Sequence, residues 1–128
     1  LYFGRAAAKL DDAANYLPSR LSALLLIAAS FFCRENVKNA WKIWRRDRRN
    51  HASPNSAQTE AVMAGALMVQ LAGPAWYFGQ YYDKPTIGDP LRPVEPGDIL
   101  RANRMLYWGG FLSLILLCGI RALICILL

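Results

Sequence analysis

The sequence predicts an all-α fold: an integral membrane helical bundle, with a basic cytoplasmic helix or loop and a long Pro/Gly/aromatic loop. Three observations predict it. Apolar residues fill 55% of the 128 positions, but they are gathered in blocks with the charges gathered between them. One block, Met105–Leu128, runs 24 residues with a single charge, Arg121. A different stretch, Arg34–His51, holds seven of the 15 Lys and Arg residues. About 20 apolar residues cross a bilayer as a helix, and loops rich in Lys and Arg stay on the cytoplasmic side.

The same composition excludes other classes. Disorder needs low hydrophobicity, and nine glycines without a period exclude a collagen-like repeat. Three cysteines in apolar runs do not make a disulfide scaffold. A single histidine, His51, excludes a zinc cluster of the His-rich type on these residues. No GxxxxGK[ST], GxGxxG, GxSxG or HExxH pattern occurs. The chain begins at Leu1 and ends inside the run Ile124–Leu128, so it reads as the C-terminal part of a longer protein. Residues 1–128 are expected to form a single membrane domain.

Taken in order, the first apolar block is Leu21–Cys33. Thirteen residues are short for a span. Extending it back to Tyr16 adds Pro18 and Arg20, which predicts a helix kinked at Pro18, spanning or re-entrant. Arg34–His51 follows as the cytoplasmic segment. Trp41 and Trp44 lie three apart within it, so one face is expected to rest on lipid headgroups. Its Arg/Lys/Trp mixture also suits a nucleic-acid patch, but beside membrane helices no nucleic-acid partner is expected; the partner is the bilayer. Ala57–Gly73 is small and mildly apolar, and reads as a buried helix, re-entrant or packed beneath the others, capped by Ser56 with Glu60 or by Thr59. Pro74–Asn103 carries five of the seven prolines and balanced charges, and reads as an ordered loop anchored by Trp76, Tyr77, Phe78, Tyr81 and Tyr82. Met105–Leu128 is the transmembrane helix, with Arg121 snorkelling near its far interface.

Two clusters offer chemistry. On a helix, Asp11 and Asn15 share a face and Asp12 nearly joins them. Two carboxylates and an amide suit a hard cation such as Mg²⁺, which takes one or two carboxylates together with substrate phosphates. Arg20, about two turns on, is placed to clamp a phosphate or carboxylate. The second cluster is His51, Ser53, Asn55 and Glu60, at the entry to the following helix, where free N–H groups favour an anion. Solvated acidic and basic surface is the plain alternative for both. The aromatic stretch Trp76–Tyr82, with Tyr77 at its centre, is either packing or one wall of a site for a large flat ligand.

The residues resemble a known family. Lys9–Ala29 reads KLDDAANYLPSRLSALLLIAA, His51–Gly73 reads HASPNSAQTEAVMAGALMVQLAG, and PTIGDP is followed by DILRANRML. These look like the C-terminal half of the CobD/CbiB family, whose pattern runs L-D-D-x-x-N-[YW]-x-P-[AS]-R-L, then S-P-N-x-x-x-x-E-A-x-[MF]-A-G-A-L, then I-G. The resemblance covers about residues 3–121. Ser56–Thr59 depart from it by lacking a glycine and an aromatic after S-P-N.

The resemblance implies a multi-pass protein of the bacterial or archaeal inner membrane, acting late in cobalamin synthesis as an adenosylcobinamide-phosphate synthase. The implied reaction joins adenosylcobyric acid, the corrinoid substrate, to the amine of aminopropanol or its phosphate, with ATP and Mg²⁺. Mapped onto these residues, Asp11 and Asp12 are expected to hold the metal. Asn15, Arg20, Ser53, Asn55 and Tyr77 would bind substrate, with Glu60 and His51 in acid–base roles. An AmpE-like branch with the same fold offers a second expectation, a non-catalytic membrane sensor. A third is docking of other late corrinoid enzymes through Arg34–His51.

Overall fold

The first helical stretch breaks at Asn15, not at Pro18. In the computed structural model, which describes residues 2–128, α1 covers Tyr2–Ala14 and α2 covers Tyr16–Phe32. Pro18 is the third residue of α2. In a first turn a missing N–H costs nothing, because that donor has no partner within the helix. The backbone ladder carries across the break, since the Asn15 N–H still donates to the Asp11 carbonyl at 2.9 Å and the Ser19 N–H to the Asn15 carbonyl at 3.0 Å.

A turn at Cys33–Asn36, with Arg34 in the left-handed region at φ 60°, reverses the chain. Helix α3, Val37–Asp47, starts on the Asn36 side chain, which accepts from the Asn39 N–H. Helix α4, Ser56–Leu67, lies antiparallel against it. Gly65 makes that approach possible. A Cβ there would meet the Asn39 carbonyl oxygen at 2.7 Å and the Ala40 Cα at 2.8 Å. Asn39 Nδ2 also donates to the Gly65 carbonyl at 2.7 Å.

The expectation for Trp44 is corrected here. Trp44 is buried, packs with Ala23, Val62 and Met105, and donates its indole N–H to Gln58 Oε1 at 3.0 Å. The headgroup-facing reading fails because Ala40, Ile43, Trp44 and Asp47 form the face of α3 that meets the core. Trp41 alone stays exposed.

Helix α4 ends at Met68, which takes a left-handed conformation while the Val69 N–H returns to the Ala64 carbonyl, a common helix stop. The segment expected to be pure loop then forms two small antiparallel pairs. Strand β1, Leu71–Ala72, pairs with β4, Thr86–Ile87; β2, Ala75–Tyr77, pairs with β3, Gln80–Tyr82. The fold is therefore mostly helical rather than all-α. The alternation needed to see such strands is absent in two- and three-residue pieces. Gly88, at φ +86°, follows β4, and its N–H donates to the buried Asp47 carboxylate at 2.8 Å.

Helix α5, Gly97–Leu127, starts eight residues before the apolar run. Its polar first turns are fixed by ion pairs. Asp98 bonds Arg92 and Arg101, and Arg101 bonds Glu35 in the α2–α3 turn. Arg92 Nε also donates to the Leu67 carbonyl at 2.9 Å. From there α5 runs back along α2: Trp108 stacks on Phe32, and Gly109 faces Leu26. Beyond Ser113 no residue of α5 is buried. This is the one helix, among the described residues, long and apolar enough to cross a membrane.

Candidate functional site

The α2–α3 hairpin decides where the polar residues meet. Helix α3 returns the chain toward the N-terminal end of α2, and residues 48–55 then cross in front of the α1–α2 break. Asn55 is the joint. It occupies the N-cap position of α4, yet its side chain makes no cap bond to that helix. Instead Nδ2 donates to the Asp12 carbonyl at 2.9 Å, and Oδ1 accepts from Ser19 Oγ and from Arg20 Nη1, both at 3.2 Å. The expected capping of α4 by Ser56 or Thr59 with Glu60 is thereby corrected. Among the described residues no side chain caps this helix, and the Gln58 N–H bonds the Asn55 carbonyl at 3.3 Å instead.

Ser53 completes the junction. Its hydroxyl donates to Asp12 Oδ1 at 3.1 Å. Its own N–H donates to His51 Nδ1, also at 3.1 Å. Asp11 Oδ1 accepts from Asn15 Nδ2 at 2.9 Å, the i, i+4 pair read from the sequence. The result is two hollows separated by Asn55 and its partners. One, of about 340 Å³, is lined by Asp11, Asn15, Ser19, Ser53, Asn55 and Thr59, among others. The other, of about 370 Å³, is lined by Tyr16, Arg20, Arg49, His51, Ala52 and Pro54.

Seven of the nine expected site residues are therefore neighbours: Asp11, Asp12, Asn15, Arg20, His51, Ser53 and Asn55 line or border the two hollows. Two are not. Glu60 lies one residue beyond Thr59 on α4, lines neither hollow, and bonds to none of the described residues. Neighbours on a helix point about 100° apart, so Thr59 and Glu60 face different ways. Tyr77 sits on the exposed β2–β3 pair, edge-on to Tyr82 and under the Lys84 ammonium, and lines neither hollow.

Sequence reasoning missed Ser19, Thr59 and Arg49. The signal for Ser19 was present. Asp11, Asn15, Ser19 and Ser22 are spaced four, four and three apart, which puts one polar stripe on the face that carries the cleft. For Arg49 there was none, because only the return of α3 brings it beside Arg20.

The donor set suits Mg²⁺ chemically. Asp11 and Asp12 each keep one carboxylate oxygen without a partner among the described residues, with hydroxyl and amide oxygens alongside. That matches a cation that takes one or two carboxylates and leaves its other positions to water and phosphate.

A family profile described as CobD/CbiB protein matches residues 1–106. The chain belongs to the CobD/CbiB family. Among curated relatives, the cobalamin biosynthesis protein CobD of Desulfotalea psychrophila is 52% identical over 112 residues, which is 88% of this chain and 34% of that protein. CobD of Clostridium perfringens is 47% identical over 122 residues, 95% of this chain and 39% of that protein. The cobalamin biosynthesis protein CbiB of Salmonella typhimurium is 49% identical over 118 residues, covering 92% and 37%. The chain thus spans a little over a third of the length of these CobD and CbiB relatives. No solved structure matches it.

Proposed function

We propose that the protein carrying this CobD/CbiB chain acts in cobalamin biosynthesis as an ATP-driven amide ligase. It would join a corrinoid carboxylate, that of adenosylcobyric acid, to the amine of aminopropanol or its phosphate, at the inner membrane. The observation that carries this reading is the convergence at Asn55. The Asp12 carboxylate from α1, the Arg20 guanidinium and Ser19 hydroxyl from α2 and the Ser53 hydroxyl from the α3–α4 loop meet there, in a chain whose relatives are named for cobalamin biosynthesis.

A carboxylate and an amine do not condense in water without activation. In the proposed reaction the corrinoid carboxylate oxygen takes the γ-phosphoryl group of ATP, and ADP leaves. The amine nitrogen then attacks the carbonyl carbon and inorganic phosphate departs. The nitrogen's proton passes to the phosphate. Asp11 and Asp12 would be the residues to hold Mg²⁺, which would supply neutralisation of the phosphate charge.

The chain's own residues do the positioning. Asn15 orients the Asp11 carboxylate, and Ser53 and Asn55 orient Asp12. Arg20 lies flat on the Tyr16 ring, 3.4 Å from its centroid, with Nε and Nη2 unpartnered among the described residues. A stacked, planar guanidinium loses little freedom when it grips an oxyanion. Water must be kept from the activated carboxylate.

The test is direct. Purified full-length protein, given adenosylcobyric acid, the amine, ATP and Mg²⁺, is expected to form the amide and ADP in equal amounts, read by mass spectrometry. Amide absent, with folded protein and all substrates supplied, would move the reading to a non-catalytic sensor of the AmpE-like branch.

A further inference from the structure

The second hollow has a chemistry of its own. Arg20, Arg49, His51 and Tyr16 line it, and no carboxylate does. His51 Nδ1 accepts the Ser53 N–H, so in its neutral form the ring carries its proton on Nε2. Among the described residues Arg20 uses only Nη1 in its bonds, and it is held by stacking on Tyr16. Arg49 makes no ion pair with any described residue, whereas Arg46, on the same helix end, is paired with Asp47 and Asp89. The polar side chains of the wall are thus donors, two of them guanidinium forks that match phosphate oxygens bidentately.

We propose that this hollow is a phosphate subsite, with Arg49 as the second guanidinium beside Arg20 and His51 Nε2–H as a further donor. Its ligand is a phosphate monoester or the end of a polyphosphate. This deepens the ligase reading and rests on it only for which phosphate arrives. It also divides the junction by charge: Asp11 and Asp12 border the side that attracts cations, and Arg20 and Arg49 the side that holds an anion.

The test uses full-length protein in phosphatidylcholine nanodiscs and pyrophosphate as the probe, measured by calorimetry. Arg49→Gln is expected to weaken binding at least tenfold, as loss of a charged hydrogen-bonding pair does. Arg49→Lys is expected to recover part of it. Arg45→Gln, one turn earlier on α3 and outside the hollow, is expected to bind as wild type. Equal binding by Arg49→Gln and wild type, or equal loss in Arg45→Gln, would overturn the subsite.

Three further arms name the source of the phosphate: the KM for ATP, the KM for phosphorylated against free aminopropanol, and competition by phosphatidic acid placed in the nanodisc. An Arg49-dependent change in any arm supports the proposal and identifies the source, and, where the amide forms, no change in all three overturns it. The two readings separate cleanly. Arg49-dependent pyrophosphate binding without amide formation keeps the subsite and removes the ligase. Amide formation with unchanged behaviour of Arg49→Gln does the reverse.

Discussion

Asn55 bonds Asp12 across 43 positions of chain: its Nδ2 sits 2.9 Å from the Asp12 main-chain carbonyl. The α1–α2 break exposes that carbonyl's end of the helix, and an asparagine taken from the start of α4 fills it. The same amide accepts from Ser19 and Arg20. One side chain therefore holds three segments in register, and α4 is left without a side-chain cap.

Asn55→Ala is expected to lower stability by about 1–3 kcal/mol, the range for unpairing part-buried polar groups. It is also expected to reduce activity more than that loss accounts for, since Asp12, Ser19 and Arg20 lose their common partner. Thermal unfolding in detergent together with turnover at a temperature where the variant stays folded checks both.

Gly65→Ala is expected to destabilise the protein by about 1–3 kcal/mol, because the new methyl meets α3 backbone rather than a movable side chain. Gly110→Ala is the matched control. Its Cβ meets nothing within 4 Å, so the change is expected to stabilise α5 by about 0.5–1 kcal/mol. Chemical denaturation of the two variants reads the difference in sign.

Trp44→Ala is expected to cost about 3–5 kcal/mol, as for a core aromatic. Trp41→Ala removes an exposed ring tilted against Trp44 at 5.1 Å, and is expected to cost about 0.5–1.5 kcal/mol. Equal costs would return both rings to the headgroup role.

Asp47 gives the fold a pH dependence. Bonding to the Arg46 guanidinium, chiefly, and to the Gly88 N–H holds its carboxyl below the usual carboxylate range, against the opposing effect of burial. A lowered folded-state pKa contributes stability that is complete above the unfolded value of about 3.9 and is lost as pH falls through the folded value. Stability is therefore expected to hold between pH 7 and 5 on this account and to fall below about pH 4. Asp47→Asn is expected to flatten that acid limb in denaturation curves taken from pH 3 to 7.

The apolar helices were legible in the sequence because their residues are gathered in long apolar blocks, and the Asp11–Asn15 pair because i, i+4 neighbours need no tertiary knowledge. The break at Asn15 was not, since Pro18 is the louder local signal and is harmless in a first turn. Nor was the core role of Trp44, because an indole among arginines reads as interfacial until α4 is known to cover it. The joining of Ser53 and Asn55 to Asp12 needed the return of α3. That return also removes a conflict. Taken as a span, α2 separates Asp11 from the basic segment Arg34–His51. Folded as a hairpin, it leaves Arg49 and Asp12 at the same end.

A membrane-impermeant thiol reagent is accordingly expected to reach cysteines placed at positions 11 and 49 from the same side of the membrane, in a background without native cysteines. Labelling of position 11 from the periplasm would leave the aspartates without ATP and end the ligase account.

The most direct measurement is complementation with Asp12 changed. The full-length gene, wild type or Asp12→Ala, goes into a bacterium lacking its own adenosylcobinamide-phosphate synthase and fed cobyric acid. Growth with wild type and none with an equally expressed, membrane-inserted Asp12→Ala is the predicted result. Equal growth with both would contradict the placement of the reaction at the Asp12–Asn55 junction.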